Sequence, residues 1–373
     1  MLFIADYNSQ FTRALLNKLT DVSHEYDFSV ISGTKYYQDG KLIYQGNHAK
    51  NKLAKLNEVN KLIKMVNFQV IDIVHIHFLS PINVLYQRLL KGRKVIITFW
   101  GSDMYRIPNQ SRMNKFMQRN VLKHADVITV VNKKMIKKFH ETFGFEDKPI
   151  FVTKFPVLAD LQLIDKLDQE AVESFKRKYY IQKNDIVLTL GYSSDPRKNH
   201  EYMIDEVLEL SRKFKNIFAF LPMTYGDAQH REKIKKYCEE AFQKYNVRYT
   251  VLENFMSDQE IALLRKVTDI MVNVQDTDAL SASMEESLYA GSIVINGAWL
   301  DYDELLEDGA YYETIPELKP GILASKLEYV IKNLIDLKQK SKVNREIIAK
   351  RNDWNEAAQN FITLYNKLLE DKL

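Results

Sequence analysis

Short apolar runs rich in valine, isoleucine and phenylalanine alternate with amphipathic stretches along most of this chain. Such runs are typical of strands buried on both faces, and the longer amphipathic stretches are typical of helices. The alternation therefore predicts parallel sheets covered by helices. The predicted strands are LFIA from Leu2, FSVI from Phe28, VIDIVHIHF from Val70, KVIITFW from Lys94, DVITVV from Asp126, IFVTKF from Ile150, IVLTLGY from Ile186, IFAFLPM from Ile217, YTVLENF from Tyr249, DIMVNV from Asp269 and SIVING from Ser292.

The alternation occurs twice, and a charged helical connection at 158–181 separates the two occurrences. A length of 373 residues exceeds the roughly 250–300 residues at which a single core stops growing. We predict an α/β protein with two Rossmann-like, doubly wound parallel-sheet domains that face each other across a cleft. The predicted domains are 1–160 and 161–352, with a final amphipathic helix at 353–373. Other predicted helices cover 47–66, 81–91, 111–124 and 227–244.

Composition excludes several classes of protein. Hydrophobic residues make up 46% and charged residues 27% of the chain, which is typical of a globular protein and not of a disordered one. No window reaches the roughly 18 apolar residues of a membrane span, and no basic segment precedes the first apolar run as in a signal peptide. The single cysteine, Cys238, excludes an internal disulfide. These features predict a cytoplasmic location.

Charge is distributed unequally along the chain. Residues 1–160 carry a net charge of +11, and the remainder carries −7. The excess of positive charge in residues 1–160 predicts a phosphate-bearing partner such as a lipid carrier or the inner face of the cell membrane. Charged runs are, however, more often solvated helix faces. Nucleic acid is not predicted, because no nucleic-acid-reading motif is present. The basic clusters are Lys50, Lys52, Lys55, Lys61 and Lys64; Arg112, Lys115, Arg119 and Lys123; and Lys133, Lys134, Lys137 and Lys138.

Several catalytic motifs are missing from the sequence. It contains neither GxGxxG nor GxxxxGK[ST], which argues against a dinucleotide-binding protein or a P-loop NTPase. His75 and His77 share one face of a predicted strand, which is compatible with metal ligands but more typical of hydrogen-bonded core histidines. Without HExxH or a Cys/His cluster, no metal site and no cofactor are predicted.

Polar loops follow two strands of the C-terminal domain, at the edge where parallel sheets bind ligands. The first loop contains Ser193, Arg197, Lys198 and Asn199 and leads into a helix, which suits a diphosphate or equally a capped surface helix. In the second, Ser281 or Ser283 begins a helix that Gly291 ends. Its carboxylates, Asp278 and Glu286, are spaced to bind the sugar and the ribose of a nucleotide sugar; alternatively, they are plain loop and helix residues.

The pattern DxxxxxxxE followed by SLYAG resembles the Glu–seven–Glu motif of family 4 glycosyltransferases, which have the GT-B fold. The resemblance implies that Glu286 contacts ribose, that the Ser281–Met284 backbone contacts the diphosphate, and that Arg197 and Lys198 clamp the diphosphate. This chain has Asp278 where the family usually has Glu, and Gly191-Tyr192 where the family has Gly-Arg. In the GT-B fold the final helix packs back on the N-terminal domain.

Four further segments are informative together: Trp100-Gly101-Ser102-Asp103-Met104-Tyr105, Lys154-Phe155-Pro156, Gly191 through His200, and Pro222-Met223-Thr224-Tyr225. They resemble segments of the bacterial 4-acetamidofucosyl (Fuc4NAc) transferases, and this resemblance extends from about residue 95 to residue 300. It adds Tyr225 to the expected donor-binding residues.

The acceptor side is expected where two N-terminal strands end. HIHFLSP and TFWGSD place His77, Ser80, Trp100 and Asp103 at this edge. Family 4 enzymes often have His where this chain has Trp100, so Asp103 is the nearest candidate to orient or deprotonate an acceptor hydroxyl. Alternatively, Asp103 caps the following segment and Trp100 is a core residue instead of a platform for a sugar ring.

Together these features predict a glycosyltransferase that uses a nucleotide-diphosphate sugar and a glycan or lipid-linked glycan acceptor in bacterial surface polysaccharide synthesis. Retention of anomeric configuration follows from the family 4 resemblance, and metal independence from the missing metal motif. The predicted catalytic residues are Asp103, Asp278 and Lys198. Two alternatives remain: a GT-B sugar-nucleotide epimerase, and a non-catalytic glycosyltransferase-like subunit of a glycosylation complex.

Overall fold

The computed structural model describes residues 1–46, 52–67, 69–278, 280–300 and 302–372. The chain divides into two compact units, which we call the first unit (Met1–Leu158 with Asp353–Leu373) and the second unit (Ala159–Asn352). Residues 47–51 lie outside the described residues. They include Lys50 and the beginning of the helix predicted over 47–66.

The strands are β1 (Leu2–Ile4), β2 (Ser29–Ser32), β3 (Lys35–Gln38), β4 (Lys41–Gln45), β5 (Ile73–His77), β6 (Lys94–Thr98), β7 (Val127–Val130), β8 (Ile150–Val152), β9 (Ile186–Leu190), β10 (Ile217–Pro222), β11 (Arg248–Leu252), β12 (Ile270–Asn273), β13 (Ile293–Gly297) and β14 (Glu313–Ile315). The helices are α1 (Gln10–Val22), α2 (Lys52–Asn67), α3 (Gln87–Leu90), α4 (Ser102–Tyr105), α5 (Ile107–Gln110), α6 (Arg112–Leu122), α7 (Lys134–Phe143), α8 (Gln162–Lys166), α9 (Gln169–Lys178), α10 (His200–Ser211), α11 (Ala228–Tyr245), α12 (Asp258–Val267), α13 (Ala282–Ala290), α14 (Asp303–Glu307), α15 (Ile322–Lys332), α16 (Leu334–Lys340), α17 (Val343–Arg351) and α18 (Trp354–Leu369). Short 3₁₀ turns cover Pro81–Tyr86 and Pro196–Lys198.

Each unit is built on its own sheet. The strand order is β4-β3-β2-β1-β5-β6-β7-β8 in the first unit and β11-β10-β9-β12-β13-β14 in the second. The pairings are parallel except for β2 with β3 and β3 with β4. The predicted α/β class, with a doubly wound parallel sheet in each domain, is confirmed.

The β3–β4 hairpin and β14 were not predicted from the sequence. The hairpin turns at Asp39 and Gly40, both of which have positive φ (47° and 75°). Asp-Gly is a strong signal for a two-residue hairpin turn. It was not recognised because the flanking residues are mostly polar and exposed, unlike the apolar runs that identify the central strands.

Helix α18 packs on α1 within the first unit. Apolar residues of α18 such as Phe361 and Tyr365 join Leu15, Leu19 and Phe3 in one hydrophobic cluster. The Tyr365 hydroxyl lies 3.0 Å from His75 Nδ1, and His75 Nε2 lies 2.6 Å from Thr98 Oγ1. His75 is therefore a hydrogen-bonded core histidine. Among the described helices, none combines the length and the apolar character needed to cross a bilayer.

Candidate functional site

The loops after β9 and β12 meet at the carboxyl edge of the second sheet. Asn199, in the left-handed conformation (φ 59°), donates from Nδ2 to Val274 O (2.8 Å) and to Asp276 Oδ1 (2.9 Å). The Asp276 backbone N–H donates to Arg197 O (3.0 Å). These bonds hold the two polar loops of the predicted donor site together, as expected for neighbouring strands of a parallel sheet. Asn199 thus has a structural role in joining them.

Lys198 lies inside this junction with only 6% of its surface exposed. Its Nζ is 3.4 Å from the centroid of the Tyr192 ring and donates to Gln275 Oε1. A buried ammonium beside a ring face is held by electrostatic attraction to the ring quadrupole. The position of the Lys198 charge is therefore fixed by side chains from both loops.

Asp278 accepts hydrogen bonds from neighbouring side chains. They include the Tyr302 hydroxyl (2.8 Å), the Tyr192 hydroxyl (3.3 Å) and Gln275 Nε2. Burial, together with the Asp278 charge, raises the pKa values of Tyr192 and Tyr302, so both phenols remain protonated donors. Tyr192 and Gln275 thus connect Asp278 to Lys198.

Arg197 is paired within its own loop. Its Nε donates to Asp195 Oδ1 (2.9 Å), and a second guanidinium nitrogen contacts Asp195 Oδ2. These hydrogen bonds lower the pKa of Asp195 and raise that of Arg197. Because a carboxylate already balances this guanidinium, Arg197 offers less net charge to a diphosphate than the sequence pattern predicts.

Helix α13 begins at the same edge of the sheet. Ser281 is its N-cap and accepts from the Met284 backbone N–H (3.2 Å), while the Ser283 carbonyl accepts from Ser287 Oγ (2.7 Å). Gly291, at φ 89°, ends the helix in the left-handed conformation. Of the two serines proposed as cap, Ser281 is therefore the one, and Ser283 lies in the first turn.

Glu286 forms a buried ion pair that the sequence analysis missed. Its Oε2 accepts from Arg265 Nε of α12 (3.0 Å). The pKa of Tyr225 is raised, mainly by desolvation, and the charges of Arg265, Glu286 and Asp278 also act on it, so Tyr225 lies near these groups. Arg265 sits in the stretch before the carboxylate motif, but no local signal shows that α12 and α13 place it beside Glu286.

Ser193, in the loop after β9, is buried. The next residue, Ser194, donates its backbone N–H to the Tyr225 carbonyl (2.8 Å). The structure therefore brings together, at one edge of the second sheet, Ser193, Arg197, Lys198, Asn199, Tyr225, Asp278, Ser281, Ser283 and Glu286.

The first unit has a separate pocket of about 660 Å³ at the carboxyl edge of its sheet. His77, Ser80 and Trp100, the residues expected on the acceptor side, line it, and so does Asp6, which was not among the residues predicted from the sequence. Burial lowers the pKa of His77 to about 3, so its imidazole is neutral. Trp100 stacks on Phe155 with ring centroids 4.2 Å apart and is only partly buried.

Asp103 does not line this pocket, contrary to the expectation that it faces the cleft. It is fully buried, and its two oxygens accept from the backbone N–H groups of Leu79 (3.0 Å), Trp100 (3.0 Å) and Gly101 (2.9 Å). Burial raises the pKa of Asp103 to about 6. The alternative interpretation, a carboxylate that caps its own loop, describes this geometry.

Comparison with known proteins identifies the fold. Residues 1–132 match the model of a family described as glycosyl transferase 4-like. A glycosyltransferase from Rickettsia africae ESF-5 is 18% identical, with a TM-score of 0.77 over 99% of this chain and 98% of that one. The chain has the GT-B fold. The predicted resemblance to GT-B glycosyltransferases is confirmed, and glycosyltransferase is the class that the match over residues 1–132 supports. The resemblance to Fuc4NAc transferases stays a prediction.

Other solved structures with the same fold are more distant in sequence. Anabaena Alr3699/HepE, solved with UDP and glucose, is 14% identical with a TM-score of 0.73 over 98% of this chain and 99% of that one. A sucrose-phosphate synthase from Thermosynechococcus elongatus is 12% identical with a TM-score of 0.73, covering 99% of both chains. A search of curated proteins found no match.

Proposed function

We propose that this glycosyltransferase-like chain transfers a sugar from a nucleotide-diphosphate sugar to a glycan or lipid-linked glycan in bacterial surface polysaccharide synthesis. The observation that carries the proposal is the buried Lys198, held by Tyr192 and Gln275 at the sheet edge where α13 begins, with Asp278 and Glu286 at the same edge. The solved complex of Anabaena Alr3699/HepE with UDP-glucose, a protein of the same fold, supports a nucleotide sugar as donor.

The proposed chemistry follows from where charge develops during transfer. As the glycosidic bond to the diphosphate breaks, negative charge grows on the leaving phosphate oxygen. A fixed ammonium and free helix N–H groups stabilise that charge without reorganising. Lys198 and the first turn of α13 would have this role, Glu286 would bind ribose hydroxyls, and Asp278 would orient the donor sugar.

A nucleotide panel tests the proposal. UDP, GDP, dTDP and CMP, with their sugars, are screened by thermal shift, and we expect one nucleotide to raise the unfolding temperature. Glu286→Ala should weaken binding of that nucleotide by roughly tenfold or more, about 1.4 kcal/mol, as measured by calorimetry. Glu209→Ala, a surface carboxylate change in the same unit, is the control. If no nucleotide binds, the non-catalytic subunit becomes the better hypothesis.

The reaction is proposed to proceed without a metal and with retention of configuration. Lys198 supplies the positive charge that a divalent cation would otherwise bring to the diphosphate. Turnover should therefore be unchanged after dialysis against EDTA, and NMR of the product should show the anomer of the donor. Loss of activity in EDTA that Mg²⁺ restores would contradict the metal-free mechanism, and an inverted anomer would contradict retention.

A peripheral location on the inner face of the cell membrane is part of the proposal. Helix α6 exposes Met113 (61%) and Phe116 (60%) beside Arg112 and Lys115. Apolar side chains flanked by basic ones suit the interface of an anionic membrane. A membrane-bound enzyme would meet lipid-linked acceptors at that surface.

Vesicle sedimentation checks this location. The double change Met113→Ser and Phe116→Ser should reduce the bound fraction on phosphatidylglycerol vesicles several-fold, because about 0.8 kcal/mol is lost for each CH₂ group no longer buried. Ile335→Ser removes an even more exposed apolar side chain (87%) from the second unit and should leave binding unchanged. Equal binding of wild type and the α6 variant would remove the membrane from the proposal.

A further inference from the structure

Tyr192 is a neutral residue at a position where a positively charged one is expected. It directly follows Gly191 at the end of β9, where the family 4 resemblance leads one to expect arginine. An arginine would carry its own charge to the site, whereas a phenol carries none. Tyr192 instead places its ring face 3.4 Å from the ammonium of Lys198, measured to the ring centroid.

The hydroxyl of Tyr192 extends this contact to the second loop. It lies 3.2 Å from Gln275 Oε1, the atom that also accepts from Lys198 Nζ, and 3.3 Å from Asp278 Oδ2. Gln275 is itself fixed, because its backbone carbonyl accepts from Trp299 Nε1 (2.8 Å). The ring, the amide and the carboxylate thus form one connected group around Lys198.

A lysine needs such support more than an arginine does. Its four-carbon chain is flexible and its ammonium is a point charge, so an unsupported lysine samples many positions. Cation–π attraction is strongest where water is excluded, as at this 6%-exposed lysine. Arg197 is balanced by Asp195, which leaves the placement of Lys198 as the main determinant of positive charge at this edge.

We propose that Tyr192 is a positioning residue that fixes the Lys198 ammonium for the donor diphosphate. Its ring holds the charge, and its hydroxyl links that charge to Asp278 through Gln275. The inference rests on the proposed function, because that function assigns the diphosphate to Lys198.

A double-mutant cycle tests the assignment. The ligand is whichever of UDP, GDP and dTDP binds wild type most tightly, and affinity is measured by calorimetry. Tyr192→Leu, which removes the ring, should weaken binding at least tenfold. Tyr192→Phe, which keeps the ring, should weaken it less than threefold. In a Lys198→Ala background, Tyr192→Leu should cause less than a twofold further loss, because there is no charge left to position.

The result that overturns the proposal is a tenfold loss from Tyr192→Leu that persists in the Lys198→Ala background, or no loss in either background. A persistent loss would mean that Tyr192 supports the fold of the loop and not the ammonium.

A second readout needs no nucleotide. Competitive acylation with acetic anhydride, read by mass spectrometry, reports how accessible each lysine is, and exposed Lys236 is the internal reference. Lys198 should react much more slowly than Lys236 in wild type and in Tyr192→Phe, and should approach Lys236 in Tyr192→Leu. Slow reaction in all three proteins would overturn the positioning role. If no nucleotide binds, the proposed function fails, while this experiment still decides the placement of Lys198.

Discussion

Replacing Lys198 by alanine should slow sugar transfer at saturating donor by roughly tenfold or more, a loss of at least ~1.4 kcal/mol of transition-state stabilisation. Charge on the leaving diphosphate is greater in the transition state than in the bound donor, so the effect should appear in kcat as well as in kcat/KM. The buried position of Lys198 makes its charge more effective than that of a solvated lysine. Initial rates over a donor concentration series give both constants.

Two comparisons make the Lys198 result specific. Lys236→Ala removes an exposed lysine from α11 and should leave both constants unchanged. Lys198→Arg keeps the charge but replaces a point charge with a planar fork, so we expect only partial recovery. A kcat for Lys198→Ala equal to that of wild type would show that the diphosphate lies elsewhere.

Replacing Asp103 by alanine should destabilise the first unit. Three backbone N–H groups lose their acceptor, a fully buried carboxylate, at about 1–3 kcal/mol for each buried donor left unsatisfied. A total near 3 kcal/mol corresponds to a fall in Tm of about 6–12 °C for a domain of this size. Thermal unfolding followed by tryptophan fluorescence, to which Trp100 and Trp354 of the first unit contribute together with Trp299 of the second, measures the change.

Asp103→Asn is the matched variant for this experiment. It keeps one oxygen acceptor, so its loss of Tm should be smaller than that of Asp103→Ala. A catalytic base would behave differently: both variants would unfold like wild type but lose activity. That outcome would restore the role predicted for Asp103 from the sequence.

The difference between the predicted and observed roles of Asp103 shows what sequence can reveal. The strand that precedes it is a mostly apolar run, KVIITFW from Lys94, so its position at the sheet edge was predictable. Whether its carboxylate points to the pocket or back to its own loop depends on the turn at Gly101, whose φ is 126°. That turn leaves no periodic pattern in the sequence.

Side-chain contacts between helices and strands that lie far apart in the sequence could not be predicted either. Helix boundaries near Ser281 and Gly291 follow from capping residues, which act locally. The ion pair of Arg265 with Glu286 and the network of Tyr192, Gln275 and Tyr302 require the relative placement of separate helices and strands. Only the tertiary fold supplies that placement, although the residue types were visible from the start.

The most direct test of the donor site is a crystal structure of the protein with the nucleoside diphosphate that it binds most tightly. The phosphate oxygens should lie within hydrogen-bond distance of Lys198 Nζ and of the backbone N–H groups in the first turn of α13, with the ribose at Glu286. A nucleotide bound at any other place, with this sheet edge still closed around Lys198, would contradict the proposed donor site.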